Sequence, residues 1–566
     1  MGQVTGGQLV ARALKREGVK CAFGLTVGHL MPIFYGLREE GIQLYDTRHE
    51  SAAGYAADAY ARITGVPGVL MTTAGPGVTN TLTAMAEAAD AGSPVLHIGG
   101  ATPEVFNDTG TSQDIETVKA MAAFCRFAKK CRQGLRIPEY IAMAYRYALD
   151  DTPGPVYLEI PAEILKASYD EDDVVWPQNT RAQAMAFGEP RYIEAAAKLL
   201  SEAKRPVLVL GEQARYSAEY GAYVRELVHY LQMPVMTTPL TISRGLFANE
   251  AEDELFDMGE GAAAEADVIL ELCATNHQTI NRGRPPLFCA GAKIIQVHPD
   301  RTKIGYNAPA DVGIVAGAGG AAMQLLEQVK KLRGPVTDTA WVQRARELNN
   351  AVRAPFIEAR TDTTQPPVPG RLAGEVAKFL EKNGPDWTVV CDGGDAAQWM
   401  LYNATARRPG QVLKFGILGT IGTGAGFSIG AFAATGKPVL YFSGDGSFGF
   451  YSMEFDTFVR HNMPVLCVIS NDAAWGMIKL SQQVGAPDFI AQHGHHPANL
   501  LAERAYEKLP EVWGGVGVKI SRWEDVVPAL EKVAASGQAG IVNCDVDREA
   551  MSPRTRSFAG VANTKK

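Results

Sequence analysis

The chain reads as an α/β protein built from three doubly wound parallel-sheet domains, and three observations lead there. Short apolar runs recur, each ending in Gly, Asp or Pro and followed by a helical stretch, which is how buried parallel strands with crossover helices look in sequence. They fall at 68–73, 94–98 and 155–160, then at 206–210, 268–272 and 293–297, then at 388–391, 438–442, 464–469 and 540–544. A length of 566 residues exceeds what one hydrophobic core supports. Composition also loosens twice, at the charged stretch 169–181 and at the Pro-rich 361–369, as it does in linkers. The expected units are therefore 1–175, 190–335 and 365–547, followed by a tail at 548–566. The first and last thirds share a strand-and-helix rhythm.

Bulk properties narrow the function. A content of 46% hydrophobic and 20% charged residues is that of a soluble globular protein. The net charge of −8 supplies no basic field for nucleic acid or an anionic membrane, so neither partner is expected. The eight cysteines (21, 125, 131, 273, 289, 391, 467, 544) are scattered without C-x-x-C or zinc-like spacing and read as reduced thiols. The opening residues lack an apolar leader core, and no uncharged run of about 18 residues follows, so the expected location is cytoplasmic.

Two regions carry chemistry. In Gly444-Asp-Gly-Ser447 an apolar run turns on glycines, placing Asp445 at a strand's carboxyl end beside a helix start, where open α/β sheets bind ligands and helix amides favour phosphate. Asn471-Asp472 closes the next run and brings a second carboxylate. A hard cation such as Mg²⁺ takes such oxygens together with a carbonyl, water and phosphate oxygens. Far upstream, Glu50 in Asp46-Thr-Arg-His-Glu50 opens an Ala-rich helical segment.

These residues carry a resemblance. Gly444-Asp-Gly followed by Asn471-Asp472 resembles the thiamine diphosphate signature. Arg48-His-Glu50, Thr73-Ala-Gly-Pro-Gly-Val-Thr-Asn80 and Gly110-Thr-Ser-Gln113 resemble the pyrimidine domain of acetolactate synthase-like enzymes. Matches keep their order across nearly the whole chain. The resemblance implies a pyrimidine-binding, a central and a diphosphate-binding domain, with thiamine diphosphate and Mg²⁺ as cofactors. Asp445, Asp472 and the Ala474 carbonyl would ligate the metal; many members carry Asn at position 472, and Asp keeps an oxygen ligand there. Glu50 would bond the pyrimidine ring and stabilise the imino tautomer that deprotonates thiazolium C2. Ile421, in the segment Lys414-Phe-Gly-Ile-Leu-Gly-Thr-Ile421-Gly-Thr-Gly424, takes the place of the apolar wedge between the two rings. Thr73, Gly419, Gly446, Ser447, Trp475, Gly476 and Met477 are the further expected cofactor contacts. Sites at subunit interfaces imply a homodimer or homotetramer.

For the substrate, the nearest resemblance is to the benzaldehyde lyases, thiamine-dependent C–C lyases and carboligases, where a His and a Gln handle protons over the thiazolium. His29 and Gln113 match them. The expected activity is thus cleavage or ligation of 2-hydroxy ketones with aldehydes or 2-keto acids. Two alternatives stay open: a 2-hydroxyacyl-CoA lyase or oxalyl-CoA decarboxylase type, and an acetolactate synthase-like 2-keto acid decarboxylase. Against the last, Ser481 stands where the synthase has a channel Trp. The segment Glu271-Leu-Cys-Ala-Thr-Asn-His277 also lacks the Arg that contacts FAD and the second keto acid, so FAD is not expected. Arg548, Arg554 and Arg556 of the tail would suit CoA phosphates, although a frayed end is the simpler expectation. Lys479 reads equally as an anion anchor or a surface lysine, and His493-Gly-His-His496 as an exposed loop. A thiamine-binding protein without turnover would have lost Glu50 or Asp445; both are present.

Overall fold

All ten apolar runs are strands, and they sort into three parallel sheets in a computed structural model that describes residues 2–182, 185–238 and 242–557. The first sheet contains β1 (Cys21–Gly24), β2 (Gln43–Asp46), β3 (Gly68–Thr72), β4 (Val95–Ala101), β5 (Phe127–Lys130) and β6 (Val156–Pro161), in the order β2-β1-β3-β4-β6-β5. The central sheet holds β7 (Pro206–Leu210), β8 (Val235–Thr237), β9 (Val268–Leu272), β10 (Lys293–Val297) and β11 (Val312–Ile314), in the order β8-β7-β9-β10-β11. The last holds β12 (Thr388–Asp392), β13 (Val412–Lys414), β14 (Val439–Gly444), β15 (Val465–Asn471), β16 (Val516–Ile520) and β17 (Gly540–Asp545), in the order β13-β12-β14-β15-β17-β16. First and last sheets thus have one topology. Each reverses direction between its first and third strands, the crevice where such sheets bind ligands.

In both sheets the crossover from second to third strand carries a helix, Glu50–Thr64 in one and Gly424–Thr435 in the other. These two helices pack on each other, and small residues make that possible. A Cβ on Gly426 or Gly430 would run into the Ala52 and Ala56 carbonyls. The Ala-rich pattern read in the sequence therefore serves close approach between helices. One hydrophobic core consequently includes residues of both units, with Tyr55, Ala56 and Ala59 against Phe427 and Ile429, while the central unit keeps its own.

Segments between the units are more ordered than their composition suggests. Ser168–Asp170 pairs antiparallel with Gln3–Thr5, so the first charged stretch begins as a strand. Ahead of the Pro-rich stretch lies a helix, Ala340–Ala359, whose Trp341 indole donates to the Pro206 carbonyl at 3.0 Å.

The tail corrects two expectations. Instead of fraying, it docks as far as residue 557: Ser552 and Thr555 are buried, the Ser552 amide donates to Asp395 at 3.0 Å, and Arg554 pairs with Glu260 at 2.9 Å. Lys479 is neither on the surface nor free to bind an anion, being buried against Glu549 (2.5 Å) and the Arg548 carbonyl (3.0 Å). Residues 558–566 of the tail lie outside the described residues. Among those described, every cysteine is a free thiol and no helix is long and apolar enough to cross a membrane.

Candidate active site

In the last unit three adjacent strands deliver their carboxyl ends to one crevice. β12 ends at Asp392 before Gly393 and Gly394, β14 runs into Asp445, and β15 into Asp472. A cavity of about 140 Å³ opens there, lined by Ile421, Asp445, Gly446, Ser447, Asp472, Ala474, Trp475, Gly476 and Met477. Nine of the residues expected at a cofactor or metal thus meet in one place. Gly419 does not line the cavity; it lies in the exposed turn leading to Ile421, with a positive φ of 79°.

The electrostatics of this cavity ask for a cation. Burial, then the neighbouring Asp472, push the Asp445 carboxyl up to about 8, and burial raises Asp472 as well. Two close carboxylates, one buried and one half-buried, resist ionising together without a counter-charge. Asp445 Oδ2 is buried without a partner, and Ala474, which follows Ala473 in a left-handed conformation (φ 49°), lines the same cavity. Among the described residues no group of three or more His, Cys, Asp or Glu is placed to hold a metal, so these oxygens need others from a ligand. Glycine makes the room. A Cβ on Gly476 would strike the Asp472 carboxylate, and one on Gly446 would stand 2.9 Å from the Trp475 ring. The helix Gly476–Gly485 begins here with unpaired amides suited to phosphate.

Asp392 is a site residue that the sequence reading left unassigned. Fully buried, it accepts the amides of Gly393 (2.6 Å), Gly422 (3.0 Å) and Gly424 (2.9 Å), and so fixes both the floor of the cavity and the end of the loop carrying Ile421. An Asp-Gly-Gly directly after an apolar run was its available signal.

In the first unit the equivalent crevice carries neutral side chains. His29 follows β1, Thr73 follows β3, and Gln113 lies in the loop after β4. The Thr73 hydroxyl donates to Gln113 Oε1 at 3.2 Å, which leaves it to accept from His29 Nδ1 at 3.0 Å. That assigns the Nδ1–H tautomer to His29 and leaves Nε2 as a proton acceptor. Burial, then the charge of Lys166, lower its pKa, so the ring is neutral near pH 7. Gln113 holds a positive φ of 70° and packs against Gly75, where a Cβ would come within 2.9 Å of its backbone.

Glu50 is the first residue of its helix and half-buried, and the Asn80 amide donates to its Oε2 at 2.9 Å. The last unit fixes that helix start. Glu454 accepts the amides of Arg48 (3.1 Å) and His49 (3.0 Å) while Thr457 donates to it at 2.6 Å. Asn80 and Glu454 were unassigned in sequence because their role is a contact with a distant segment. His29, Glu50, Thr73 and Gln113 are not among the residues lining the cavity beside Asp445. The expected residues therefore fall in two places of one chain.

The central unit offers a different set. Glu271 is fully buried, held by Gln296 (2.7 Å) and Asn276 (3.2 Å), and burial pushes its carboxyl up to about 7. His277 lies 3.3 Å from Glu212. His493, the last residue of the helix Pro487–His493, and His496 are exposed, whereas His495 between them is half-buried, so the expected exposed loop is only partly one.

Comparison with known proteins agrees with this architecture. Residues 4–121, 193–329 and 392–544 match, in that order, the N-terminal TPP binding, central and C-terminal TPP binding domains described for thiamine pyrophosphate enzymes. The 2-hydroxyacyl-CoA lyase 2 of Danio rerio is 30% identical over 580 residues, covering 95% of this chain and 91% of its own. The acetolactate synthase large subunit IlvG of Mycobacterium tuberculosis is 30% identical, covering 98% of each. The oxalyl-CoA decarboxylase of Escherichia coli is 27% identical, covering 96% and 95%. Three parallel-sheet units in that order, with likeness along almost their full length, place this chain in the family of thiamine pyrophosphate-dependent enzymes.

Proposed function

We propose that this enzyme uses thiamine diphosphate and Mg²⁺ to break, and in reverse to form, the carbon–carbon bond between a carbonyl and a neighbouring hydroxyl-bearing carbon. The observation that carries this reading is the Asp445–Asp472 pair lining a glycine-rich cavity, with Asp445 buried and one of its oxygens without a partner. Asp445, Asp472 and the Ala474 carbonyl would hold Mg²⁺; Gly446, Ser447 and the amides from Gly476 onward would take the diphosphate. Trp475 and Met477 wall the site, while Gly419 and Ile421 set the ring position. When bound, the cofactor supplies a carbon nucleophile and an electron sink. Glu50 shares a proton with its pyrimidine nitrogen, and Thr73 orders the polar crevice. His29 accepts the substrate's hydroxyl proton at Nε2 as the aldehyde leaves, then returns a proton to the other fragment, with Gln113 orienting it.

That separation supports an assembly of more than one copy. Since Glu50, His29, Thr73 and Gln113 stand away from the cavity of their own chain, a second copy would complete it, as a homodimer or homotetramer. No flavin is proposed, because Glu271 and its amide partners offer no cation to a second carboxylate or a dinucleotide phosphate.

The substrate we favour is a 2-hydroxyacyl thioester, cleaved to an aldehyde and a formyl thioester. Support comes from relatives named for CoA thioesters. Arg554 and Lys479 add nothing to it, since Glu260 and Glu549 already engage them. An acyloin, as in benzaldehyde lyase, is the second reading, favoured by the His29–Thr73–Gln113 chain. The test is calorimetric binding of thiamine diphosphate with and without Mg²⁺, then turnover of 2-hydroxyacyl-CoA, oxalyl-CoA, acyloins and 2-keto acids. Turnover of acyloins alone replaces the first substrate by the second; no Mg²⁺-dependent binding removes the proposal.

A further inference from the structure

The loop that ends in Ile421 is held at both ends by carboxylates, and those at its start come from another unit of the same chain. Asp392 of the last unit binds the Gly422 and Gly424 amides at its end. At its beginning, the Gly416 amide donates to Glu87 and the Leu418 amide to Asp90 at 3.0 Å. Both acids sit on the helix Leu82–Asp90 of the first unit. The approach is close: a Cβ at position 416 would press on the Asp90 carboxylate and stand 3.0 Å from that of Glu87.

A buried ion network stands behind the first of these contacts. Arg62 is 1% exposed and Asp58 and Glu87 are fully buried. Arg62 grips Asp58 bidentately at 2.7 and 2.6 Å, reaches Glu87 at 3.1 Å, and spends its remaining nitrogen on the Lys414 carbonyl at 2.9 Å. Desolvating such a cluster is costly, and removing one partner would leave an uncompensated buried charge. The side-chain hydrogen bonds that leave this cluster go to the Lys414 carbonyl and the Gly416 amide, at the foot of the Ile421 loop. The turn above it closes with the Gly419 amide on the Gly416 carbonyl at 3.2 Å. Between that turn and the Gly422 anchor stand Thr420 and Ile421.

We propose that Glu87 and Asp90, backed by Arg62 and Asp58, are positioning residues for Ile421: they register its loop from the first unit, so that the apolar side chain stands where the bound cofactor must bend over it. This rests on the thiamine diphosphate reading of the cavity. None of the four touches the reacting atoms; they act through the loop backbone.

Asp90→Ala is the cleanest test, because Asp90 is exposed and its loss leaves the core intact. Glu87→Gln, which keeps an acceptor for Gly416, is its companion. In the full chain without cofactor, hydrogen exchange of the peptide spanning 412–424 should quicken about tenfold at the Leu418 amide in Asp90→Ala, as a lost hydrogen bond allows. With cofactor, kcat should fall roughly tenfold while cofactor affinity stays within about twofold, since misplacement by a fraction of an ångström is felt in the rate. In an Ile421→Ala background the same substitution should cost less than about twofold, because two changes acting through one side chain are not additive. Unchanged exchange overturns the proposal, as does a full multiplicative loss on top of Ile421→Ala, or a lowered melting temperature with kcat intact. If the wild type binds no thiamine diphosphate, the proposed function falls and this role with it. If the wild type binds and turns over while Asp90→Ala is silent in exchange and rate, only the positioning role falls.

Discussion

The first and last sheets share one strand order and one crossover helix, yet they carry opposite chemistry at corresponding places. Thr73 leaves the third strand of its sheet as Asp445 leaves the third strand of the other. His29 follows one first strand and Gly393 the other; Gln113 and Asp472 follow the fourth strands. One crevice holds a chain of neutral hydrogen-bonding side chains, the other two acids among glycines that bare the backbone. The fold fixes where ligands are met, and the residues at those addresses decide whether protons or a metal-bound anion are handled.

Substitutions can break that division of labour, beginning with the largest effect. Glu50→Gln should lower kcat about 10³-fold while retaining cofactor affinity, and slow C2 hydrogen exchange of the bound cofactor followed by NMR. Unchanged exchange would remove Glu50 from the chemistry. Asp445→Asn should instead weaken Mg²⁺-dependent cofactor binding, beyond the roughly 100-fold that even an outer-shell change can cost, as calorimetry would measure. If it lowered kcat with affinity intact, the two crevices would not differ as described. His29→Gln should cost about 100-fold in kcat/KM. With the wild type, burial keeps the His29 pKa below its ordinary 6.5, so kcat/KM should hold steady from neutral pH down through 6.5 and decline only below it. A decline beginning above 6.5 would contradict a buried neutral ring.

The smallest effect is on stability. His97, wholly buried in the first unit and bonded to Thr72 at 2.8 Å, has its pKa pushed down to about 3 by burial. Below pH 6.5 the unfolded chain binds a proton there that the folded chain refuses. Its contribution is therefore complete above 6.5 and is lost on acidification, by about 1.4 kcal/mol per pH unit until the folded pKa is reached. Melting temperatures at pH 7 and pH 5 should differ less in His97→Gln than in the wild type.

Much of this was legible in the sequence, and what was missed has a common cause. The ten runs read as strands are all strands, because a strand covered on both faces must be apolar throughout. All six edge strands of the parallel sheets escaped: β2, β5, β8, β11, β13 and β16 have one neighbour each, are short, and several carry residues such as Gln43, Lys129, Lys130 or Lys519; β1, interior and buried but only four residues long, was not among the ten runs either. Asp445 and Asp472 stood out because strand, glycine turn and acid lie together in sequence, while the other cavity residues came from the family resemblance. Asn80, Asp392 and Glu454 were passed over since each acts on backbone or side chains that only folding brings near. The docked tail was missed for the same reason: its anchors Asp395, Glu260 and Glu549 with Lys479 say nothing until the units are assembled.

The helix Glu50–Thr64 is loaded at both ends. Its first residue is the carboxylate assigned to the cofactor, and its last turns hold Asp58 and Arg62, which grip the foot of the Ile421 loop. Fifteen residues make a stiff beam of about 22 Å. In the proposed pair of copies, one end of this beam bears on the partner's cavity while the other braces the loop over its own. A displacement at either seat is then transmitted as a rigid tilt, so filling one cavity would alter the turnover rate of the other. That coupling would be visible as cofactor titrations in which activity does not rise in proportion to occupancy.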